Sequence, residues 1–402
     1  MDAAGFRRLW DQIAPIGRAD SGGYLRFSWS EADLALRAWF DAQAAERGLR
    51  TETDRNGNRY AHWDPEPGAA ADGRAVLTGS HFDSVPHGGA YDGPLGIVSA
   101  LLAVDELRAA GFTPARPVVI GAFTEEEGGR FGVPCLGSRL MAGAIDPDRA
   151  RALTDADGTT FAEAMRAAGA DPDALGPDPD RLAATAAFVE LHVEQGRALD
   201  APVGVASAIW PHGRWRMDFT GAGDHAGTTR LPDRRDPMLT FAFAVLAARK
   251  EARLAGGLAT VGRVEAVPNA TNAIASRVTA WLDARAPDEA VLAAILAGFE
   301  SKVCERAARD GTGFAIAPES ATPIVEFDAA LRDRLADLLG GAPVLPTGAG
   351  HDAGVLAAHV PTAMLFVRNP TGVSHAPGEA ASDEDCAAGV DALAAVLREL
   401  AC

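Results

Sequence analysis

The sequence predicts an α/β protein with a mostly parallel sheet, interrupted by an inserted α+β segment. Three observations carry this expectation. Apolar runs that end in Gly-rich polar loops alternate with helical patterns: Ala75-Val76-Leu77-Thr78, then Ile97 to Val104, then Pro117 to Phe123. That is the strand–helix–strand order of a βαβ unit. Between about 207 and 318 the strand-like runs alternate apolar with polar, as in a sheet with one exposed face. Continuous apolar texture returns after Pro323. Residues 1–206 and 319–402 are therefore expected to form one domain, with 207–318 inserted into it.

The elements follow in order. Ser30-Glu31-Ala32-Asp33 reads as a capping box, and Leu34, Leu36, Trp39 and Phe40 give the helix an apolar face before Gly48 stops it. Asn56-Gly57, between Thr51–Asp54 and Arg59–Trp63, signals a hairpin. The strand at 75–78 stops at Gly79-Ser80, and the strand at 117–123 runs directly into Thr124-Glu125-Glu126-Glu127-Gly128-Gly129. An Ala- and Asp-rich helical segment is expected from about 147 to 184, then a strand at 187–193 closing on Glu194-Gln195-Gly196. The altered texture brings strands at 204–210, 215–220, 259–264 and 277–285, separated by helices at about 235–254 and 287–309. Thr362 to Val367 is the last strand, and Asp383 to Leu400 an amphipathic helix.

At 402 residues, 48% apolar and 23% charged, the chain suits an ordinary globular protein of two domains. A net charge of -18 argues against nucleic acid or an anionic membrane surface as partner. The amino-terminal residues lack a basic stretch followed by an apolar core, and no apolar run reaches the ~18 residues that span a bilayer. The four cysteines, at 135, 304, 386 and 402, form no Cys-x-x-Cys pair. Neither a disulfide scaffold nor a thiolate zinc site is expected, and the setting reads as reducing and cytoplasmic.

The chemistry gathers at strand ends. His81 and Asp83 follow the first strand, and Asp92 lies in the Gly-rich loop that opens the next helix. Alone, this stretch reads equally as a Gly-rich turn with solvated polar residues. However, Glu126-Glu127, His192 and His375 stand at three further strand ends, and ligands bind at that edge of α/β sheets. His and carboxylate without thiolate suit zinc, manganese, cobalt or nickel. Three histidines and two carboxylates suffice for two ions about 3.5–4 Å apart with one bridging carboxylate. A further carboxylate beside them is what an attacking water needs as its base.

The chain resembles the bimetallic aminoacylase-type metallopeptidases, and within them the hydantoinase/carbamoylase amidases. The resemblance runs through Gly79-Ser80-His81-Phe82-Asp83-Ser84, Gly88–Gly93, Phe123–Phe131, Glu190–Gly196, His225-Ala226-Gly227-Thr228-Thr229, Pro268–Asn272, Gly348–Ala353 and Ser374-His375. It implies a metallopeptidase-like catalytic domain with an inserted dimerisation or lid domain. It further implies that Asp92 bridges two divalent ions, completed by Glu127 and His375 on one and by His81 and His192 on the other. Glu126 would be the general base, and Asp83 would hold His81 from behind. Arg285 would fork onto a substrate carboxylate, with Gln195 and Asn272 hydrogen-bonding the substrate. His225 would reach the partner subunit's site in a homodimer formed through the insert and stabilise the oxyanion. His351 would line the substrate pocket or serve structure. His87 and His212 read as loop or surface residues, and Cys135 as a small buried residue.

The implied activity is hydrolysis of the ureido C–N bond of an N-carbamoyl-L-amino acid or allantoate. An N-acyl-amino acid amidohydrolase or dipeptidase is the alternative. A silent binding protein is a third reading, opposed by the presence of the base and all five ligands. Glu125, Arg230 and Ala275-Ser276 depart from the commonest family pattern.

Overall fold

The helix Pro94–Ala109 is apolar around its whole circumference as far as Val104, so that part is stable only when covered on every side. Leu95, Ile97, Val98, Leu101, Leu102 and Val104 are all buried, and even Ser99 is inaccessible. In the computed structural model, which describes residues 1–66 and 72–402, this helix lies against the sheet that carries the site.

The chain divides into two units, Met1–Ala208 with Glu326–Cys402, and Ile209–Val325. In the first unit, α1 (Ala3–Ile13) and α2 (Glu31–Glu46) precede the hairpin β1 (Arg50–Thr53) and β2 (Arg59–Trp63). Then come β3 (Ala75–His81), α3 (Pro94–Ala109), β4 (Val118–Phe123) and four short helices, α4 (Leu136–Met141), α5 (Pro147–Arg151), α6 (Phe161–Ala167) and α7 (Pro179–Ala183). The segment expected to be one helical stretch is thus broken, because Pro172, Gly176, Pro177 and Pro179 cannot continue a helix. β5 (Thr185–Val193) and β6 (Val203–Ile209) close this part of the chain.

The second unit holds β7 (His212–Thr220), β8 (Asp224–His225), α8 (Pro237–Ala255), β9 (Leu258–Val267), β10 (Ala273–Ile274), β11 (Arg277–Arg285), α9 (Glu289–Asp310) and β12 (Gly313–Thr322). Its antiparallel sheet runs β12-β7-β11-β9, and Met217, Phe219, Val278, Leu282, Ile295 and Phe299 form the core under α8 and α9. The unit ends at Val325 rather than near 318 because β12 continues to Thr322. The first unit resumes with β13 (Val325–Glu326), α10 (Ala329–Leu338), β14 (Val344–Thr347), α11 (Asp352–Leu356), β15 (Thr362–Val367) and α12 (Asp383–Leu400).

Among the described residues the large sheet runs β1-β2-β4-β3-β5-β15-β6-β13, with β14 also beside β6. Its centre, β4-β3-β5-β15, is parallel, and the flanking pairs β2–β4 and β15–β6 are antiparallel. β6 belongs to this sheet and not to the insert, which its alternating texture had suggested. Parallel β3 and β4 approach closely at Gly79, where an added Cβ would sit 1.9 Å from Gly121 O. Parallel strands end on one edge, so His81, the Thr124–Glu127 loop and His192 emerge together.

Candidate metal centre

Two groups of ligand atoms converge around one carboxylate. Asp92 Oδ1 stands 3.6 Å from His81 Nε2 and 3.2 Å from His192 Nε2. Asp92 Oδ2 stands 3.4 Å from His375 Nε2, which is itself 3.4 Å from Glu127 Oε2. His81, Asp92 and His192 thus form one potential metal-holding group, and Asp92, Glu127 and His375 another. The five residues named as ligands from the sequence are brought together, with Asp92 common to both groups.

The donors fit divalent cations. His81 Nδ1 lies 3.0 Å from Asp83 O, and His192 Nδ1 lies 2.8 Å from Val193 O. A carbonyl only accepts, so Nδ1 carries the proton in both rings and Nε2 is presented to the centre. Both Nε2 atoms are buried without a hydrogen-bond partner. Two buried imidazole nitrogens turned on one carboxylate are a donor set that a divalent cation satisfies. Burial pulls His81 down to about 4. Burial lowers His192 too, yet Asp92 beside it and Glu190 behind it lift it to about 9. Burial raises Asp92, but His192, His81 and His375 hold it below the ordinary carboxylate range.

Local backbone explains the convergence. Gly93 has φ +88°, and a Cβ there would lie 2.4 Å from His81 Cε1, so only glycine lets the loop close over the imidazole. Glu125, Cys135 and His375 adopt left-handed φ of 54°, 54° and 57° without being glycine. Each costs of order 1–3 kcal/mol, and such strain gathers at functional sites. At Glu125 the turn is fixed by its own carboxylate, which accepts from Arg130 N (3.1 Å) and Phe131 N (2.6 Å).

Asp83 differs from expectation. Its carboxylate is 3.7 Å from His81 Nδ1, and its backbone carbonyl accepts the Nδ1–H hydrogen bond instead. The carboxylate accepts from Glu126 N (3.1 Å) and Glu127 N (3.0 Å), so it shapes the glutamate loop. Glu126 Oε2 lies 3.5 Å from His81 Nε2. Burial first, then the charges of Asp352 and Glu127, push its carboxyl well above the usual range.

Gln195 Nε2 donates to Asp92 Oδ2 (2.7 Å) and Ser374 Oγ (3.1 Å), and its buried Oε1 has no hydrogen-bond partner. His351 is buried with its ring 4.5 Å from that of His192 and its Nε2 unpartnered. It is drawn there because Glu190 on β5 accepts from Ala353 N at the start of α11 (3.0 Å). No sequence pattern marks Glu379, whose Oε1 accepts from Tyr91 N (2.8 Å) and Asp92 N (3.0 Å) and so fixes the backbone of Asp92. Its only signal was its place four residues after His375.

His225, Asn272 and Arg285 lie in the second unit. His225 is exposed, and its Nδ1 accepts from Gly227 N (3.0 Å), which puts the ring proton on Nε2. Asn272 O accepts from Ala226 N (2.9 Å), tying the two loops side by side. Arg285 forks onto Asp283, Nε at 2.9 Å and Nη2 at 3.3 Å. His212 Nδ1 lies 2.9 Å from Trp210 O, and His87 Nδ1 lies 2.8 Å from Ser21 Oγ.

The profile of peptidase family M20/M25/M40 matches residues 77–399. The N-carbamoyl-L-amino acid amidohydrolase of Geobacillus stearothermophilus is 36% identical over 412 residues, covering 98% of each chain. The allantoate amidohydrolase of Escherichia coli (strain K12) is 35% identical over 413 residues, again covering 98% of each. The ureidoglycolate hydrolase of Arabidopsis thaliana is 33% identical over 429 residues, covering 100% of this chain and 87% of its own. Among solved structures, a hydantoinase/carbamoylase family amidase from Burkholderia multivorans superposes with TM-score 0.86 at 32% identity, covering 100% of this chain and 98% of its own.

Proposed function

Because this chain belongs to peptidase family M20/M25/M40 and, within it, to the hydantoinase/carbamoylase amidases, which hydrolyse C–N bonds of linear amides, we propose that its substrate is a ureido acid. The substrate class is an N-carbamoyl-L-amino acid or allantoate, cleaved to ammonia and carbon dioxide. The observation that carries the reading is the carboxylate of Asp92 shared by two ligand groups with Glu126 beside them. Two divalent ions (zinc, manganese, cobalt or nickel), held by His81, Asp92 and His192 and by Asp92, Glu127 and His375, supply Lewis-acid charge when bound.

Glu126 then acts as the base. Its Oε1 accepts from Cys135 Sγ at 3.2 Å, so Oε2, facing His81, takes the proton from the attacking water. The same oxygen returns that proton to the leaving nitrogen as the C–N bond breaks. Gln195 and Asn272 hydrogen-bond the substrate, and His351 lines its pocket. Arg285 exchanges Asp283 for the substrate carboxylate, a planar anion that matches its fork. His225, with its proton on Nε2, donates to the oxyanion across a homodimer.

The second unit suits that dimer. β9 is an edge strand exposing Leu258, Val264 and Val267, and α8 exposes Leu239, Leu246 and Leu254. No helix among the described residues is long and apolar enough to cross a membrane.

The test is ammonia release by metal-supplemented enzyme from an N-carbamoyl-L-amino acid, allantoate and ureidoglycolate in parallel, beside a chelated control. Chelator-sensitive ammonia from one of the first two is the expected result. Ammonia from ureidoglycolate alone would move the substrate to that relative's. Amine release from an N-acetyl-amino acid or dipeptide with no ammonia from any ureide would overturn the ureido reading.

A further inference from the structure

The geometry points to Cys135 as the positioning residue of the base, a role that rests on Glu126 being that base. Cys135 is the N-cap of α4 and the start of a ladder between that helix and the glutamate loop. Three successive N–H groups donate to three successive carbonyls: Cys135 N to Glu126 O (2.6 Å), Leu136 N to Glu125 O (3.0 Å) and Gly137 N to Thr124 O (2.9 Å). Helix-start N–H groups lack partners within their own helix, and here the loop supplies them. On its other side the loop is held by Asp83, which accepts from Glu126 N at 3.1 Å. The backbone of Glu126 is therefore fixed through both its N–H and its carbonyl.

That leaves the side chain. Cys135 Sγ lies 3.2 Å from Glu126 Oε1, and both side chains are buried. Burial, and the carboxylate beside it, push the Cys135 thiol well up, so it is present as S–H and donates. The contact selects one carboxylate rotamer, in which Oε2 is turned toward His81 at 3.5 Å. The left-handed backbone of Cys135 (φ 54°, ψ 36°) is what aims both its N–H and its Sγ at the same glutamate. A thiol is a weak donor, so it orients the carboxylate without drawing much of the charge a base needs.

The test compares Cys135→Ala, Cys135→Ser and Cys135→Gly, each also combined with Glu126→Gln. Glycine relieves the positive φ, so it separates loss of the thiol from loss of backbone geometry. Cys135→Ala and Cys135→Gly are expected to lower kcat about 3- to 10-fold, the scale of one weak hydrogen bond. KM should stay within about twofold and metal content should not change. Serine, a donor on a shorter bond, should recover part of the loss. In the Glu126→Gln background the cysteine substitutions should cost nothing further, because there is no base left to aim.

Unchanged kcat in both Cys135→Ala and Cys135→Gly, with Glu126→Gln inactive, would overturn the positioning role and leave the base standing. The same fractional loss with and without Glu126 would mark Cys135 as structural only. Full activity in Glu126→Gln would overturn both assignments.

Discussion

Replacing Gly93 with alanine should weaken the binding of one metal ion without unfolding the protein. The residue sits at φ +88°, and an added Cβ would lie 2.4 Å from Cε1 and 2.5 Å from Nδ1 of His81. Ordinary carbon contacts begin near ~3.5 Å, so the imidazole must retreat by roughly 1 Å. It is buried and held by Asp83 O at 3.0 Å, so that retreat breaks the bond that fixes its tautomer. Metal–ligand distances tolerate only about ±0.2 Å. Displacing one ligand should therefore cost about 10- to 100-fold in affinity for the ion that His81 shares with Asp92 and His192, roughly 1.4–2.8 kcal/mol. The positive φ, paired with ψ −64°, adds about 1–3 kcal/mol to the folding cost of alanine. Competition against a chelator of known affinity reads the first quantity, and thermal unfolding of the metal-free protein reads the second. Folded Gly93→Ala with metal affinity within twofold of the parent would refute this reasoning.

Glu126→Gln keeps the shape of the base and should lower kcat about 10²- to 10⁴-fold with both ions retained, read by ammonia release beside elemental analysis. Activity within threefold would remove Glu126 from the proton path. His192, lifted to about 9 chiefly by Asp92 against the burial that lowers it, is protonated at neutral pH in the metal-free protein. Metal uptake below pH 9 should thus release a proton, and affinity should rise with pH up to about 9, visible by titrating metal into weakly buffered protein. The sign for folding is the reverse. A raised histidine pKa stabilises the metal-free protein fully below about 6.5, and that share is lost as pH rises through about 9. Arg285→Lys should reduce kcat/KM about 10- to 100-fold, because one ammonium cannot replace the guanidinium fork, and steady-state kinetics with a ureido acid would show it.

Most of the metal-type ligands are legible because they stand at or near the end of a strand that is itself an apolar run: His81 closes β3, Glu126 and Glu127 follow β4, His192 is the last residue but one of β5, and His375 lies in the loop after β15. Local pattern gives both the strand and what terminates it. Partners distant in sequence were not legible. Glu379 holds the Asp92 backbone from 287 positions away, and no local pattern encodes that contact. Spacing placed Asp83 near His81 but could not say whether its carboxylate or its carbonyl would reach Nδ1. Alternation does not tell β6 from a strand of the insert, because it reports a half-covered face, which a flanking strand of the large sheet also has. β12 is not legible because Pro318 and the polar residues after it hide its period.

Titrating manganese into chelator-stripped enzyme, while following ammonia release from a ureido acid, tests whether Asp92 organises a two-ion centre. Activity should be absent without metal and reach its plateau at two ions per chain, and Asp92→Asn should bind neither ion tightly. A plateau at one ion per chain, or turnover in the stripped protein, would contradict it.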